Sequence, residues 1–162
     1  MEPESEKPEE LLAEETMEAI AVDRTRLMRG LTPDGPTPPY QSAFSGGSAQ
    51  RTLEALLTFY ARNSYSLSSD VHEAPDYLGV ELAFAATLCK KLAALSDEGA
   101  NEEEIQAAEN SLNEFITTFV GPLALAYSEI LETHANTHYH RQFAWVLREF
   151  THNEQKYANT II

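Results

Sequence analysis

The chain has 162 residues, of which 43% are hydrophobic, and its single cysteine is Cys89. This composition favours one folded domain over residues 1–162 and argues against a disordered chain. The net charge of −15 argues against a nucleic-acid binder and suits a basic partner. With one cysteine, no signal-peptide pattern and no apolar run of membrane-spanning length, we expect no intrachain disulfide, no membrane span and a cytoplasmic location.

The first half of the chain predicts two helices separated by a proline-rich loop. The first helix is predicted from about Pro8 to Arg29, and residues 1–10 are expected to be an acidic segment that is frayed. Gly30 ends it, and four prolines then exclude helix until about Phe44. Ser48 is the predicted N-cap of the next helix. The buried stripe of that helix is predicted at Leu53, Leu56, Leu57 and Tyr60.

A long apolar helix is predicted from the N-cap Asp76 to about Ser96. Its apolar side chains extend around most of the helix circumference, which is typical of a central helix covered on most sides. Cys89 lies within it, so we expect this thiol to be buried and to serve packing, because a nucleophile needs an exposed, electropositive setting.

The second half predicts the remaining helices. Asn101 and Glu104 form a capping-box pattern, and Gly121 and Pro122 are expected to break or kink the chain, with Pro122 as a first helical residue. A last helix is predicted from about Thr137, with a buried stripe at Tyr139, Phe143, Val146, Leu147 and Phe150. The predicted fold is therefore an all-α, single-domain bundle of five to seven helices.

Three neighbouring histidines are the candidates for a metal site. His134 and His138 are four residues apart, which is a ligand spacing within one helix. However, Asn136 and Thr137 are expected to separate two helices between these histidines. His140 is the third histidine of the group, and no cysteine or HExxH pattern supports a metal site there. We favour surface or capping histidines, with a His-based metal-binding enzyme as the alternative. No trusted catalytic motif is present, so we predict no catalytic residue, no metal and no cofactor.

Two loops remain as candidate binding elements. One is the proline-rich stretch from Arg26 to Phe44, which presents Tyr40, and the other is the acidic helix start from Glu73 to Phe84. They are either ordinary helix connections or a surface for a peptide with apolar and basic parts, because stiff loops present aromatic side chains at low entropic cost.

Four stretches in order resemble motifs of the TorD/DmsD family of redox-enzyme maturation chaperones. They are "RTRLMRG" (Arg24–Gly30), "PPYQSAF" (Pro38–Phe44), "EAPDYLGVELAF" (Glu73–Phe84) and "ANTHYHRQFAWVLREF" (Ala135–Phe150). "FYARNSY" (Phe59–Tyr65) also resembles the family's helix before its variable loop. The likeness covers about residues 20–150 and implies an all-α, TorD-like cytoplasmic chaperone that is not an enzyme.

The resemblance implies that the partner is the twin-arginine leader, and the apo form, of a molybdopterin oxidoreductase subunit. By motif matching, the peptide-binding residues are Leu27, Met28, Gly30, Pro39, Tyr40, Ser42, Glu73, Asp76 and Tyr77. The chain departs from the family pattern where Tyr77 replaces a usual His and Gln41 a usual Glu. Met28 and Arg24 also replace common aromatics.

Two further hypotheses come with the resemblance. An assembly factor of the family's nitrate-reductase branch would bind the mature part of a catalytic subunit instead of its leader. The family also usually has more helix before the first one predicted here, so a homodimer that completes the bundle, by helix exchange for example, is a further hypothesis.

Overall fold

The computed structural model describes residues 15–30 and 34–160, and the side chains of residues 15–30 and 34–154. Within these ranges it contains seven α-helices, one of them a single turn, and no β-strand. They are α1 (Met17–Arg29), the single turn α2 (Gln41–Phe44), α3 (Ala49–Arg62), α4 (Leu78–Asp97), α5 (Glu102–Phe115), α6 (Gly121–His134) and α7 (His138–Thr160). The all-α class and the number of helices are confirmed. None of the described helices has the length and apolar character to cross a membrane.

An aromatic cluster from α3, α4, α5 and the segment that follows α5 lies at the centre of the core. The ring of Phe84 meets that of Phe115 edge-on, with centroids 4.7 Å apart, and that of Tyr60 at 4.8 Å. Phe59 packs against Phe115 and Phe119 at 5.2 and 5.8 Å. Each such edge-to-face contact adds about 0.5–1.5 kcal/mol to the free energy gained by burying the rings. These rings therefore hold the middle of the bundle together.

Small side chains bring α6 and α7 close together. Ala124 and Ser128 on α6 and Ala144 on α7 have no exposed surface. A Cβ added to Gly121 would lie 3.5 Å from the Thr151 methyl group, so the start of α6 also lies close to α7. The backbones approach closely because little side-chain volume separates them.

The start of α7 is held by a carboxylate from α1. Asp23, only 2% exposed, accepts hydrogen bonds from the backbone N–H groups of Asn136 (3.0 Å) and Thr137 (2.9 Å) and from the Thr137 hydroxyl (2.8 Å). Arg26 donates to its other oxygen at 2.7 Å. Burial alone would raise the pKa of Asp23, but these hydrogen bonds and the Arg26 charge together hold the pKa below its ordinary value. Asp23 is therefore ionised and caps α7 from another helix.

A second carboxylate completes this cap. Glu15 accepts from the backbone N–H of His138 and, at 2.9 Å, from that of Tyr139. The first N–H groups of a helix have no partner within the helix, so they need acceptors from elsewhere. Here the segment before α1 and α1 itself supply them.

One of the two expectations was that Gly121 and Pro122 break the chain between two helices. Instead, the chain stays helical through Pro122. The chain passes from α5 to α6 through a π-helical segment, Ile116–Val120, in which the Gly121 N–H donates to the Ile116 carbonyl. Proline has no N–H to continue the α-helical pattern, and widening the turn adapts the chain to that loss. A Cβ at position 121 would lie 2.9 Å from the Ile116 oxygen, so glycine is required here.

The predictions for the central helix were wrong in two respects. The buried side chains of α4 lie on one face and none lies beyond Leu88; they are Leu78, Val80, Glu81, Phe84, Ala85 and Leu88. The second half is largely exposed, and Cys89 is exposed rather than buried. Apolar residues around the whole circumference are therefore not evidence of cover on all sides, because the cover depends on which helices meet.

Three predicted core side chains were also misplaced. Tyr139 and Val146 are 49% and 50% exposed, while the stripe of α7 that packs inward contains His140, Ala144, Leu147 and Thr151. Leu57 of α3 is 44% exposed. For α7, the helical spacing of the buried residues was predicted correctly, but the wrong face of the helix was predicted to be buried. The close contact with α6 requires small side chains rather than aromatic ones.

Several local signals were confirmed. Gly30 ends α1 in the left-handed conformation, with φ of 57°. Asn101 and Glu104 form the reciprocal capping box at the start of α5. Ser48 stands at the N-cap of α3 but makes no capping hydrogen bond with its side chain. The predicted start of the first helix at Pro8 lies outside the described residues, as does the acidic segment 1–10.

Candidate functional site

The two loops singled out by the sequence are joined by an antiparallel bridge between Tyr40 and Tyr77. The Gln41 N–H donates to the Asp76 carbonyl, and the Leu78 N–H donates to the Pro39 carbonyl, both at 2.9 Å. The bridge fixes the start of α2 against the start of α4. It therefore brings the second and third family-like motifs into one surface.

Asp76 is not the N-cap of α4, contrary to the prediction. The N-cap is Tyr77, whose backbone is extended because it takes part in the bridge. The Asp76 side chain, 4% exposed, turns the other way and accepts from the Ser42 N–H at 3.0 Å. Asp76 therefore caps α2, a single turn that has no capping side chain of its own at its N-cap Tyr40.

The two bridge tyrosines form a ring pair at the surface. Their centroids are 5.3 Å apart, and the Tyr77 hydroxyl contacts the Met28 sulfur at 3.4 Å. A Cβ on Gly79 would lie 2.7 Å from the Tyr77 ring, so a side chain there would displace the ring. Burial, followed by the nearby Glu73 charge, raises the pKa of Tyr40, and burial is also the main cause of a raised pKa for Tyr77. Both hydroxyls are therefore protonated donors at neutral pH.

Glu73 lies beside this ring pair and pairs with a cation. Its Oε1 lies 2.9 Å from Nη2 of Arg29, and its Oε2 accepts from Nη1 of Arg29 at 3.4 Å. The Tyr40 hydroxyl donates to Oε2 at 3.3 Å. We call Met28, Arg29, Tyr40, Glu73 and Tyr77 the bridge surface. It combines a carboxylate that holds a guanidinium with two aromatic rings and a thioether.

The end of α1 reaches the bridge surface through a close contact at Gly30. A Cβ on Gly30 would lie 3.1 Å from two ring carbons of Pro38, and the positive φ of Gly30 also disfavours other residues. The sharp helix end and the proline packed against it place Met28 and Arg29 beside Tyr40.

The structure brings the nine sequence-predicted residues into one region, but only some of them offer side-chain surface. Met28, Tyr40, Ser42, Glu73 and Tyr77 are partly exposed, and Gly30 is exposed. The other three side chains are buried: those of Leu27, Pro39 and Asp76. Leu27 has no exposed surface, and its carbonyl accepts from the buried Tyr127 hydroxyl at 3.2 Å. These three therefore position the surface rather than form it.

Beneath the bridge lies a buried carboxyl group that the motif analysis missed. Glu81 has no exposed surface; its Oε2 accepts from the Gln41 side chain at 3.3 Å, and its Oε1 has no partner among the described residues. Burial raises the pKa of Glu81 to about 8, against the lowering effect of the Gln41 hydrogen bond. Glu81 lies three residues after Leu78 and three before Phe84, on the apolar stripe of the helix. This helical spacing was the signal in the sequence that could have predicted the burial of Glu81.

Gln41 links α2 to the π-helical segment. Its side-chain amide donates to the Phe119 carbonyl at 2.8 Å as well as to Glu81. The irregular helix thus finds a partner for one of its carbonyl groups in the residue that follows Tyr40. Gln41 therefore ties the start of α2, next to the bridge surface, to the core.

The bridge surface lies apart from the cavity that α3, α4 and α5 form. This cavity has a volume of about 490 Å³ and shares no residue with the bridge surface. Its rim includes Arg62 and Glu114, which pair with each other at 2.7 Å. We take the bridge surface as the candidate site because its side chains combine a guanidinium-binding carboxylate with two aromatic rings and a thioether.

The histidine group does not form a metal site within the described residues. No cluster of three or more His, Cys, Asp or Glu side chains there has the arrangement to hold a metal ion. His140 is buried, with Nδ1 2.7 Å from the Thr137 hydroxyl and 3.3 Å from Asp23. Burial lowers the pKa of His140, although Asp23 opposes this, so the ring is neutral at pH 7. His138 is partly buried beside Gln142, and His134 is exposed at the end of α6.

Comparison with known proteins gives one match. The model of the nitrate reductase delta subunit family matches residues 4–124, a span that includes α1 to α5 and the whole bridge surface. The search of curated proteins and the search of solved structures each found nothing that matches. Three of the four family-like stretches lie inside the matched span, and the fourth, Ala135–Phe150, lies beyond it. The chain belongs to the nitrate reductase delta subunit family, whose members are molybdoenzyme maturation chaperones of the NarJ/TorD type.

Proposed function

We propose that this chain is a cytoplasmic, non-enzymatic chaperone that binds the twin-arginine leader, and the apo form, of a molybdopterin oxidoreductase catalytic subunit. It would hold the subunit until its cofactor is inserted, before export. The observation that carries the proposal is the pairing of a guanidinium with Glu73 beside two tyrosine rings. A leader of this kind has an arginine pair followed by an apolar stretch.

The chemistry of the bridge surface supports a ligand with both parts. The Glu73 carboxylate presents both of its oxygens to a guanidinium, a bidentate contact that a lysine ammonium cannot match. The Tyr40 and Tyr77 rings and the Met28 thioether supply adaptable apolar area next to it. The net charge of −15 adds long-range attraction for a basic segment.

Titration calorimetry with synthetic leader peptides tests the proposal. A peptide with the arginine pair should bind at least about tenfold more tightly than the same peptide with two lysines, since charge-assisted bidentate pairs are among the stronger hydrogen bonds. Tyr40→Ala should weaken binding by about tenfold, as expected for a truncated aromatic contact. Asp76→Ala should also weaken it, because α2 would lose its cap.

Tyr139→Ala is the matched control for the tyrosine substitution. Tyr139 is half exposed on α7 and lies outside the bridge surface, so its removal should leave peptide affinity unchanged. Absence of binding to any leader peptide and to any apo subunit would exclude the proposed function.

The family match favours a second candidate, an assembly factor for the mature part of a nitrate-reductase-like subunit. Pull-down of a catalytic subunit with and without its leader separates the two. Capture that requires the leader supports the first candidate, and equal capture of the leaderless subunit supports the second.

A further inference from the structure

Arg29 occupies the position on Glu73 where a ligand arginine would bind. Its guanidinium presents Nη2 to one oxygen of Glu73 at 2.9 Å and Nη1 to the other at 3.4 Å. The Tyr40 hydroxyl adds a contact to the same carboxylate at 3.3 Å. The carboxylate is thus already used in the way that an incoming guanidinium would use it.

The local structure holds Arg29 there without burying it. Arg29 is the last residue of α1, where a cation interacts favourably with the helix dipole, and Gly30 turns the chain sharply against Pro38. The side chain of Arg29 is 50% exposed and that of Glu73 is 28% exposed. Solvent therefore reaches the pair, and the Arg29 side chain is able to rotate away from Glu73 without opening the core.

We propose that Arg29 is an internal competitor that a ligand arginine must displace from Glu73. This inference rests on the proposed function of the bridge surface. The displaced guanidinium moves into solvent at the end of α1, and the ligand guanidinium takes over both Glu73 oxygens beside the Tyr40 hydroxyl. Arg29 thereby lowers the affinity of every ligand that has to use Glu73, and this sets a threshold that weakly bound basic segments do not pass.

Arg29→Gln tests the competition directly. With a synthetic peptide that contains two arginines and an apolar stretch, the variant should bind about fivefold more tightly than the wild type. That factor corresponds to about 1 kcal/mol, the upper range for an exposed ion pair. The gain should be smaller for the peptide with two lysines, because an ammonium does not reproduce the bidentate contact. Circular dichroism should show an unchanged fold, since Arg29 is exposed.

Arg24→Gln is the matched control for charge. Arg24 is exposed on the same helix, and its charge partly opposes the rise in the pKa of Tyr77 that burial causes, yet Arg24 makes no ion pair with Glu73. Both variants remove one positive charge near the bridge surface. A gain with Arg29→Gln alone supports the competition, whereas equal gains with both would show that only the general field changed and would overturn it.

A double-mutant cycle with Glu73→Gln completes the test. Because the competition acts through Glu73, adding Arg29→Gln to Glu73→Gln should give no further gain in affinity. If the wild type binds the peptide and Arg29→Gln binds it equally, the competition is excluded while the proposed function stands. If neither the wild type nor Arg29→Gln binds any arginine peptide, the competition and the proposed function are both excluded.

Discussion

Two contacts between helices, which we call joints, each contain a carboxyl side chain with almost no exposed surface. Asp23 lies in the joint between α1 and α7, and Glu81 lies beneath the joint between α2 and α4. Asp23 accepts from two backbone N–H groups, a hydroxyl and a guanidinium. Glu81 accepts from one side-chain amide, and one of its oxygens has no partner in the part of the chain that the structure describes. The pKa of Asp23 is held below its ordinary value, while burial raises the pKa of Glu81 to about 8.

Equal burial therefore leads to opposite charge states. Desolvation raises the pKa of a carboxyl group in both places, and the number of donors decides whether this effect is overcome. At pH 7 the first joint contains a charged cap and the second a neutral acid. We expect the first to be the stronger joint and the second to respond to pH.

The largest expected effect is the loss of the Asp23 cap. Asp23→Ala should lower the free energy of unfolding by about 4 kcal/mol, because it leaves two buried donors on Thr137, the partly buried Asn136 N–H and the Arg26 guanidinium without their acceptor. Urea unfolding at pH 7 measures this. Asp97→Ala, at an exposed position at the end of α4, should change it by less than about 0.5 kcal/mol. A similar small loss for both variants would contradict the account of this joint.

The pH dependence of stability should separate the two joints next. The unfolded chain loses the Glu81 proton near the ordinary pKa of 4.5, and the folded chain loses it near 8. Between these values the folded state binds more protons, so the free energy of unfolding falls as pH rises. From pH 5 to pH 7.5 the wild type should lose about 3 kcal/mol relative to Glu81→Gln.

Chemical unfolding of both proteins across this pH range checks the expected divergence. Glu129→Gln, at an exposed position on α6, is the control and should keep the wild-type pH profile. Parallel profiles for the wild type and Glu81→Gln would mean that Glu81 is ionised in the folded state.

The smallest of the three effects concerns Gln41, which links the joint between α2 and α4 to the π-helical segment. Gln41→Met keeps the side-chain length but removes the donor to the Phe119 carbonyl and to Glu81. An unpaired buried carbonyl costs about 1–3 kcal/mol, and we expect a loss of about 2 kcal/mol in thermal or urea unfolding. Gln106→Met, exposed on α5, provides the matched substitution and should have little effect. No loss for Gln41→Met would show that the carbonyl has another partner.

Features that depend on neighbouring residues in the chain were predictable. Gly30 ends α1 and Asn101 caps α5, because the chemistry of helix ends involves residues only three or four positions apart. The order of family-like motifs also indicated which residues share a surface, and the structure brings Met28, Tyr40 and Tyr77 together. The use of that surface for a peptide stays a prediction.

Features that depend on distant partners were not predictable. The Asp76 carboxylate caps α2 rather than its own helix because the bridge holds Tyr77 extended. Tyr139 was expected inside and lies half outside, since the periodicity of α7 does not reveal that α6 presents small side chains. Nothing in the sequence near Arg29 indicated that its partner would be Glu73. In each case the deciding contact joins segments far apart in the chain.

The cap on α7 also bears on the order in which the chain folds. Asp23 is separated from Asn136 and Thr137 by 113 and 114 positions, so this contact closes a loop of most of the chain. Closing such a loop carries an entropic penalty that local helices avoid, so α1 should dock late in folding and detach early in partial unfolding. Amide hydrogen exchange at Asn136 and Thr137 would then report the docking of a helix that lies at the opposite end of the sequence.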